Sequence, residues 1–335
     1  MFGKLVNLKR SRKLRKFGIF LIVVLVFLAV VPFLVPISQL DGLVSPKELA
    51  TVDSSFTTVS FDGTNGIDFH YLRTGAGRPR FVLLHGFTFN SFTWNQVLSV
   101  FAENGGAVAY DRIPFGLSER LTINDWQGIN PYSPEATLDQ LFLFMDRLRI
   151  PSAILVGNSA GGALAVRAAL AKPERVDGLI LVDAAIYDPP RRFSSLLAKL
   201  PQVRRLGPLI ARPIGANEAL LRSTFADPDR IGSSTRMLRA MNTRVSDWDV
   251  ALWEFLAAAT RQPDIATQLG NIQQPVLVVS GDDDSLVPVT DSARLDSELP
   301  NSRLAVLPNC GHVPQEECPE EFIEAVAAWL AGRLE

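Results

Sequence analysis

The sequence contains few of the residues on which metal and redox chemistry depend, with two cysteines and three histidines among 335 residues. Cys310 and Cys318 are too few for a disulfide framework, and their spacing is not that of a zinc site. A single bridge between them is compatible with an oxidising compartment, but the default expectation is two free thiols. We therefore predict no metal and no organic cofactor.

Basic charge is also scarce once the first 16 residues are set aside. Residues 1–16 contain seven lysines and arginines and no acid, whereas the other 26 basic and 35 acidic residues give a net charge of −9. Such a chain does not attract polyanions, so nucleic-acid binding is not expected. Hydrophobic residues make up 47% of the sequence, which is enough for a large buried core.

One uncharged apolar run of 21 residues, Phe17–Ile37, follows the basic residues. As a helix it is about 31 Å long and matches the roughly 30 Å hydrocarbon core of a lipid bilayer. Because no small-x-small cleavage site follows, we predict a retained transmembrane anchor, and a cleaved secretory signal is the alternative. The positive-inside rule places the basic tail, residues 1–16, in the cytoplasm and the main domain outside it, secreted if the segment is cleaved.

Residues 38–55 contain scattered Pro, Gly and Ser without periodicity and are interpreted as a tether. A hairpin pattern follows, and after it short apolar runs alternate with helical stretches. This alternation is typical of a mostly parallel sheet covered by helices on both faces, so we predict an α/β fold with eight strands. The predicted strands are 56–60, 67–72, 81–84, 107–110, 153–156, 179–182, 276–279 and 304–307, and the predicted helices are 94–103, 137–148, 160–171, 292–299 and 320–334.

Residues 187–265 interrupt this alternation with helical periodicity and no convincing strand. We call them the cap segment and predict a helical cap inserted into a core made of residues 56–186 and 266–335. Eleven arginines and one lysine against eight acids give the cap segment a net charge of +4. We expect these charges to lie on a helical surface exposed to solvent. The alternative is that they contact an anionic substrate or an anionic membrane.

A predicted buried strand is followed by Gly157-Asn158-Ser159-Ala160-Gly161 and then by a predicted helix. This is the G-x-S-x-G pattern of a nucleophile elbow, in which the serine lies on a tight turn between strand and helix. Gly157 and Gly161 leave room for the strand and the helix to pass each other at that turn. The pattern predicts that Ser159 is a nucleophile.

A serine nucleophile needs a general base, and the sequence offers three histidines. His70 lies on a strand face of the early hairpin and is interpreted as structural. His85 ends a buried strand, where the adjacent backbone matters more than the ring. His312 follows the last strand in a loop with Gly311 and Pro314, and it is the predicted base.

A catalytic triad also needs a buried carboxylate that orients the imidazole. Two aspartates end predicted strands, Asp284 and Asp183. We favour Asp284 and keep Asp183 as the alternative. With either aspartate, the order along the chain is serine, aspartate, histidine.

Acyl transfer needs hydrogen-bond donors for the developing oxyanion, each worth roughly 3 kcal/mol of the barrier. Backbone amides can supply them at two positions. Ala160 is first in the helix after the nucleophile, and Phe87 follows His85-Gly86 in the loop after its strand. Both are apolar residues, as that role allows.

With these pieces the chain resembles the α/β-hydrolase superfamily over about residues 56–335, in the branch with a helical cap between the sixth and seventh strands. The triad order is that of this family. Residues 111–118 are similar to its Asp-x-x-Gly-x-Gly-x-Ser segment, with Pro114 in place of the first glycine. Relatives that act as haloalkane dehalogenases or epoxide hydrolases carry aspartate at the elbow, so Ser159 favours esterase chemistry.

The resemblance implies a serine hydrolase that cleaves a carboxylic ester, or a related acyl bond, in a small apolar substrate. Two alternatives stay open. A carbon-carbon bond hydrolase acting on vinylogous diketones shares the triad and a Gly-Asn-Ser-x-Gly-Gly elbow similar to residues 157–162. A catalytically silent binding module on a membrane stalk is the other alternative, because this fold has been reused for recognition.

Overall fold

An eight-stranded sheet forms the centre of the protein. Its strands are β1 (Ser54–Val59), β2 (Ile67–Thr74), β3 (Phe81–Leu84), β4 (Ala107–Tyr110), β5 (Ala153–Asn158), β6 (Val176–Val182), β7 (Val276–Gly281) and β8 (Ser302–Leu307). They lie in the order β1-β2-β4-β3-β5-β6-β7-β8. β2 is antiparallel to β1 and to β4, and the other neighbours are parallel, which confirms the predicted α/β fold.

The computed structural model of the chain describes residues 2–75, 80–187, 195–198, 200–258 and 265–332. Its α-helices within these ranges are α1 (Phe2–Leu34), α2 (Leu98–Glu103), α3 (Pro134–Arg147), α4 (Ala160–Ala171), α5 (Ser195–Ala198), α6 (Pro201–Gly215), α7 (Glu218–Arg222), α8 (Ser233–Ala240), α9 (Trp248–Ala258), α10 (Val289–Glu298), α11 (Pro314–Glu317) and α12 (Pro319–Ala331). A 3-10 helix over Ser91–Val97 precedes α2.

Helices cover both faces of the sheet and give the protein two hydrophobic cores. Alternate residues of β3 point to opposite faces, with Val82 and Leu84 in one core and Phe81 and Leu83 in the other, as the strand period of two requires. Side chains of α3, α4 and α10 complete the first core, and those of α2 and α12 complete the second. Burial on both faces explains why β3 is a continuous apolar run.

Helix capping explains a boundary that differs from the predicted one. The periodicity predicts a helix over 137–148, whereas α3 begins at Pro134. Ser133 Oγ accepts a hydrogen bond from Ala136 N at 3.1 Å, and proline in the first turn removes no intrahelical bond. The cap therefore sets the start of α3 before the apolar periodicity becomes visible.

The N-terminal helix α1 contains the stretch Arg15–Leu34, which is long and apolar enough to cross a membrane. An apolar helix near the N-terminus fits either a membrane span or a signal sequence. After α1 the chain runs along the cap segment, where Leu40 and Leu43 pack against a core of its helices. Val44 N donates a hydrogen bond to Arg244 O at 2.9 Å. The segment interpreted as a tether is thus in contact with the cap segment.

Two glycines let α6 and α9 of the cap segment pack closely. A Cβ atom at Gly207 would lie 2.3 Å from Trp253 Cγ, and one at Gly215 would lie 2.3 Å from Trp248 Cζ3. Any other residue at these positions would push the indole rings away from α6. Within the described residues, the cap segment adds no strand to the sheet.

Candidate active site

Ser159 lies at the sharp turn between β5 and α4 with a backbone φ of +53°, a left-handed conformation that is uncommon for a residue with a side chain. Strand and helix approach closely around it. A Cβ atom at Gly157 would lie 2.5 Å from the Gly161 carbonyl carbon, and one at Gly161 would lie 2.1 Å from Leu84 O. Both positions therefore require glycine, and the backbone has the geometry of a nucleophile elbow.

His312 lies in the loop between β8 and α11 and borders the same cavity as Ser159. Its Nδ1 is 2.7 Å from Asp284 Oδ2, and the residue is only 4% exposed. Because Nδ1–H donates to the carboxylate, Nε2 is the basic ring nitrogen. The structure thus brings together the three predicted side chains, whose catalytic roles remain a prediction.

Asp284 is the candidate carboxylate that contacts the imidazole. Its Oδ1 accepts hydrogen bonds from Leu286 N at 2.7 Å and from Val287 N at 3.1 Å. These two amides hold the carboxyl group in one orientation and leave Oδ2 for His312. The side chain is buried, so its hydrogen bonds replace the water that a charged carboxylate would otherwise bind.

Asp183, the alternative acid, lies beside Asp284 and is fully buried. Its Oδ1 accepts hydrogen bonds from Ser280 Oγ at 3.0 Å and from Gly281 N at 3.1 Å. Burial and the nearby charge of Asp284 raise the pKa of Asp183 well above its ordinary value, because two adjacent buried carboxylates repel each other strongly. This shift favours the neutral form of Asp183.

The predicted oxyanion donors lie near Ser159. Ala160 begins α4, and N–H groups in the first turn of a helix have no intrahelical acceptor. Phe87 borders the cavity together with Ser159. The two backbone segments that carry these amides are in contact, since a Cβ atom at Gly86 would lie 3.3 Å from Ser159 Cβ.

The other two histidines hold backbone segments in place. His85 is fully buried, its Nδ1–H donates to Gly86 O at 2.7 Å, and its Nε2 accepts from Arg112 N at 2.9 Å. Burial lowers the pKa of His85 to about 3, so the ring stays neutral and serves as donor and acceptor at once. His70 is also fully buried, with Nδ1 2.7 Å from Asp111 Oδ2.

Two buried side chains, beyond what the sequence indicated, hold the loop of His312. Asn158 Nδ2 donates to His312 O at 2.9 Å, so the elbow itself fixes the backbone of the predicted base. Glu317 accepts hydrogen bonds from Gly311 N at 2.7 Å and from Ala226 N at 2.9 Å, which joins this loop to the cap segment. Neither partner could be found from the sequence, because each is a backbone group brought close only by the fold.

Cys310 and Cys318 form a disulfide, so the expectation of two free thiols is wrong. The loop around His312 turns back through α11 and brings the two Cα atoms to 6.1 Å, within the range that a disulfide spans. Both residues are buried. Their sequence spacing fitted either state, and the turn that decides between them is set by tertiary packing.

A cavity of about 240 Å³ opens over Ser159 and His312. The cap segment contributes Leu220 and Thr224 to its wall, and the rest of the wall comes from the core. Apolar walls with a few polar groups at one end are typical of sites for small organic ligands. The remaining side chains of the wall include Phe87, Phe89, Leu286 and Val287.

A second cavity, of about 400 Å³, shares Phe89 with the first. Arg239 borders it, donates from Nη2 to Thr88 Oγ1 at 2.8 Å, and has a buried Nη1 without a hydrogen-bond partner. Burial raises the pKa of Glu316, on the same wall, to about 7. A guanidinium group with spare donors suits a carboxylate or another small anion. Among the described residues, no group of three or more His, Cys, Asp or Glu side chains is placed to hold a metal ion.

Comparison with known proteins identifies the family. A model described as the alpha/beta hydrolase family matches residues 81–325, which is most of the chain. The chain therefore belongs to the α/β-hydrolase family, as its elbow and its sheet predict, and it is a hydrolase enzyme.

Relatives and solved structures extend the match over most of the chain. A 2-hydroxy-6-oxononadienedioate/2-hydroxy-6-oxononatrienedioate hydrolase of Burkholderia vietnamiensis is 30% identical over 290 residues, covering 83% of this chain and 95% of the relative. An esterase from Thermogutta terrifontis has a similar fold, with a TM-score of 0.66, 24% identity and coverage of 83% and 98%. A membrane phospholipase A, described as a bacterial virulence factor, gives a TM-score of 0.64 at 26% identity, with coverage of 96% and 98%.

The two adjacent aspartates are expected to differ sharply in their effect on turnover. Asp284→Asn removes the acceptor that fixes the tautomer of His312, and we expect kcat to fall about 10⁴-fold. Asp183→Asn keeps the size and polarity of a neutral acid, so kcat should stay within about threefold, since no charge is removed. Steady-state kinetics with a short aryl ester compare the variants, and the opposite order of losses would make Asp183 the triad acid.

Asp183 is also expected to make stability depend on pH. Its raised pKa means that the folded protein keeps a proton that the unfolded chain releases above the ordinary aspartate range, about pH 4. Stability from this group is therefore lost as pH rises from that range. We expect Asp183→Asn to raise the free energy of unfolding at about pH 8, with the gain shrinking toward about pH 4. Urea unfolding at both pH values measures this, and a gain that grew toward acid pH would show a charged Asp183.

Proposed function

We propose that this hydrolase cleaves a carboxylic ester of an apolar acyl substrate, with Ser159 as nucleophile, His312 as general base and Asp284 as orienting acid. One observation carries the proposal. A serine on a strained turn and an imidazole bonded to a buried carboxylate border the same cavity. This is the set of groups that acyl transfer through a covalent intermediate requires.

In the proposed reaction, His312 Nε2 takes the hydroxyl proton of Ser159 as Oγ attacks the carbonyl carbon of the ester. The carbonyl oxygen becomes an oxyanion and accepts hydrogen bonds from the N–H groups of Phe87 and Ala160. Collapse breaks the bond to the alkoxy oxygen, which takes the proton from His312 and leaves as an alcohol. Water then loses a proton to His312 and attacks the acyl-enzyme. The bond between the acyl carbon and Ser159 Oγ breaks, Oγ takes the proton from His312, and the carboxylic acid is released.

An ester of a lipid-like acyl chain is the proposed substrate class. The wall of the cavity supports it, because Phe89, Leu220 and Val287 offer apolar contact to an acyl chain. Similarity to the membrane phospholipase A also supports it. That match covers 96% of this chain. The unmatched residues are fewer than the 33 residues of α1, so the match includes at least part of this helix.

Residues 17–37 are proposed to be a retained single-pass anchor, with the N-terminus in the cytoplasm and the hydrolase domain outside it. The basic residues within 1–16 favour this orientation. The disulfide between Cys310 and Cys318 favours it too, because such bridges persist in oxidising compartments. The proposed domain consists of a core, residues 56–186 and 266–335, and the cap segment inserted between them.

The proposed nucleophile is tested by Ser159→Ala. Loss of the attacking oxygen is expected to lower kcat at least about 10⁴-fold across esters of graded acyl length and to prevent labelling by a fluorophosphonate. Ser297→Ala, at an exposed serine of α10, is the matched control and should keep full activity and labelling. Turnover that survives in Ser159→Ala would remove the basis of the proposal.

Hydrolysis of a carbon-carbon bond in a dienoate is a second candidate, which Arg239 favours. The relative from Burkholderia vietnamiensis is named for substrates with two carboxylates. Arg239, whose Nη1 has no hydrogen-bond partner, borders the second cavity, which shares Phe89 with the cavity over Ser159. If this candidate is right, dienoate ring-cleavage products will be turned over faster than esters. Arg239→Gln should then raise KM for the dienoate about tenfold and leave ester hydrolysis unchanged, because it removes a charge-assisted hydrogen bond. Faster turnover of esters would leave the ester assignment in place.

A further inference from the structure

The cap helix α6 has one face that is packed and one apolar face that is not. Its packed face carries Gly207 and Gly215 against the tryptophans of α9. On the other face, Leu209 and Ile210 are 37% and 41% exposed, and Leu200, just before the helix, is 44% exposed. Because α6 already packs against α9, its second apolar face contributes no hydrophobic stabilisation while it is exposed to water. This face is therefore suited to contact with another apolar surface or with lipid.

The exposed face of α6 continues into a groove beside α1. The groove has a volume of about 430 Å³, and Gln202 is its one polar lining residue among those described. Its apolar lining suits hydrocarbon chains. The apolar lining includes Leu25, Leu28 and Pro32 of α1 and Leu200, Val203 and Leu206 at α6.

Two arginines fix the level of α6 relative to the end of α1. Arg205 Nη2 donates to Val35 O at 3.4 Å, and Arg212 Nη2 donates to Ser38 O at 2.9 Å. Both carbonyls lie just beyond Leu34, where α1 ends. At 1.5 Å per residue, the leucines on the α1 side of the groove lie about 9–14 Å before that end. If α1 spans the bilayer, the groove is therefore inside its hydrocarbon layer and the arginines are at its surface.

We propose that α6 is an interfacial membrane helix, whose apolar face lies in the outer hydrocarbon layer and whose groove with α1 holds acyl chains of membrane lipids. The inference rests on the proposed membrane anchor and extends it to the cap segment. Arg205, at the level of the lipid head groups, and the net charge of +4 on the cap segment complement anionic phosphates. Arg212 is already paired with Asp249, with its Nε 2.7 Å from Asp249 Oδ2. Leu220, in the wall of the cavity over Ser159, belongs to the same cap segment, so this segment takes part in both the active-site cavity and the proposed membrane contact.

Leu209→Glu in the full-length chain tests the proposal through activity. In vesicles of phosphatidylethanolamine and phosphatidylglycerol, we expect turnover of an ester embedded in the lipid to fall about tenfold, because a carboxylate replaces an apolar group in the hydrocarbon layer. Turnover of p-nitrophenyl acetate, which reaches the site from water, should stay within about twofold. Met237→Glu, at a 58% exposed residue of α8 outside the groove, is the matched control and should change neither rate.

A second measurement does not depend on the identity of the substrate. A fluorophore attached at Leu209→Cys should be quenched by lipids brominated along the acyl chain, whereas one attached at Met237→Cys should not. Equal quenching at the two positions would overturn the proposal even if ester hydrolysis is confirmed. Quenching at Leu209→Cys alone would support the membrane contact of α6 even if the chain hydrolyses no ester. An unquenched fluorophore at Leu209→Cys, with a dimer that Leu209→Glu dissociates, would assign this face to a second copy of the chain instead.

Discussion

The backbone contact between Gly161 and the end of β3 is the constraint on which the rest of the active site depends. β3 and β5 pair in parallel, so the loops that follow them leave the sheet at the same edge. The loop after β5 carries Ser159, and the loop after β3 carries Phe87. Because a Cβ atom at Gly161 would lie 2.1 Å from Leu84 O, only glycine lets helix α4 start directly against the end of β3. A side chain at this contact would push the loop of Ser159 away from the loop of Phe87.

The predicted acid and base follow β7 and β8, and buried polar contacts help to fix their loops. Asn158 ties the backbone of His312 to the elbow, and Glu317 ties the same loop to the cap segment. The carboxyl pair of Asp183 and Asp284 is buried at the base of the site. Burial and the nearby Asp284 raise the pKa of Asp183 and so favour its neutral form.

The sequence predicted the fold and the elbow because each leaves a local signature. Buried parallel strands are apolar without alternation, as in β3, and a turn as tight as the one at Ser159 requires glycines at fixed positions. The sequence favoured Asp284 but left Asp183 open, since both end strands and only the crossing of two loops places one beside His312. The state of Cys310 was mispredicted for the same reason, because its distance from the other cysteine depends on how α11 packs. The cap at Ser133 was visible in the sequence, but apolar periodicity alone overlooked it.

The bridge between Cys310 and Cys318 encloses His312. The conformations open to the loop of this histidine therefore depend on whether the two cysteines are oxidised. Before the bridge forms, the hydrogen bonds that hold this segment include those from Asn158, to Glu317 and between His312 and Asp284. Oxidation closes it into a small covalent ring and restricts the conformations open to the base. The loop of His312 is therefore more restricted in an oxidising compartment than in a reducing one.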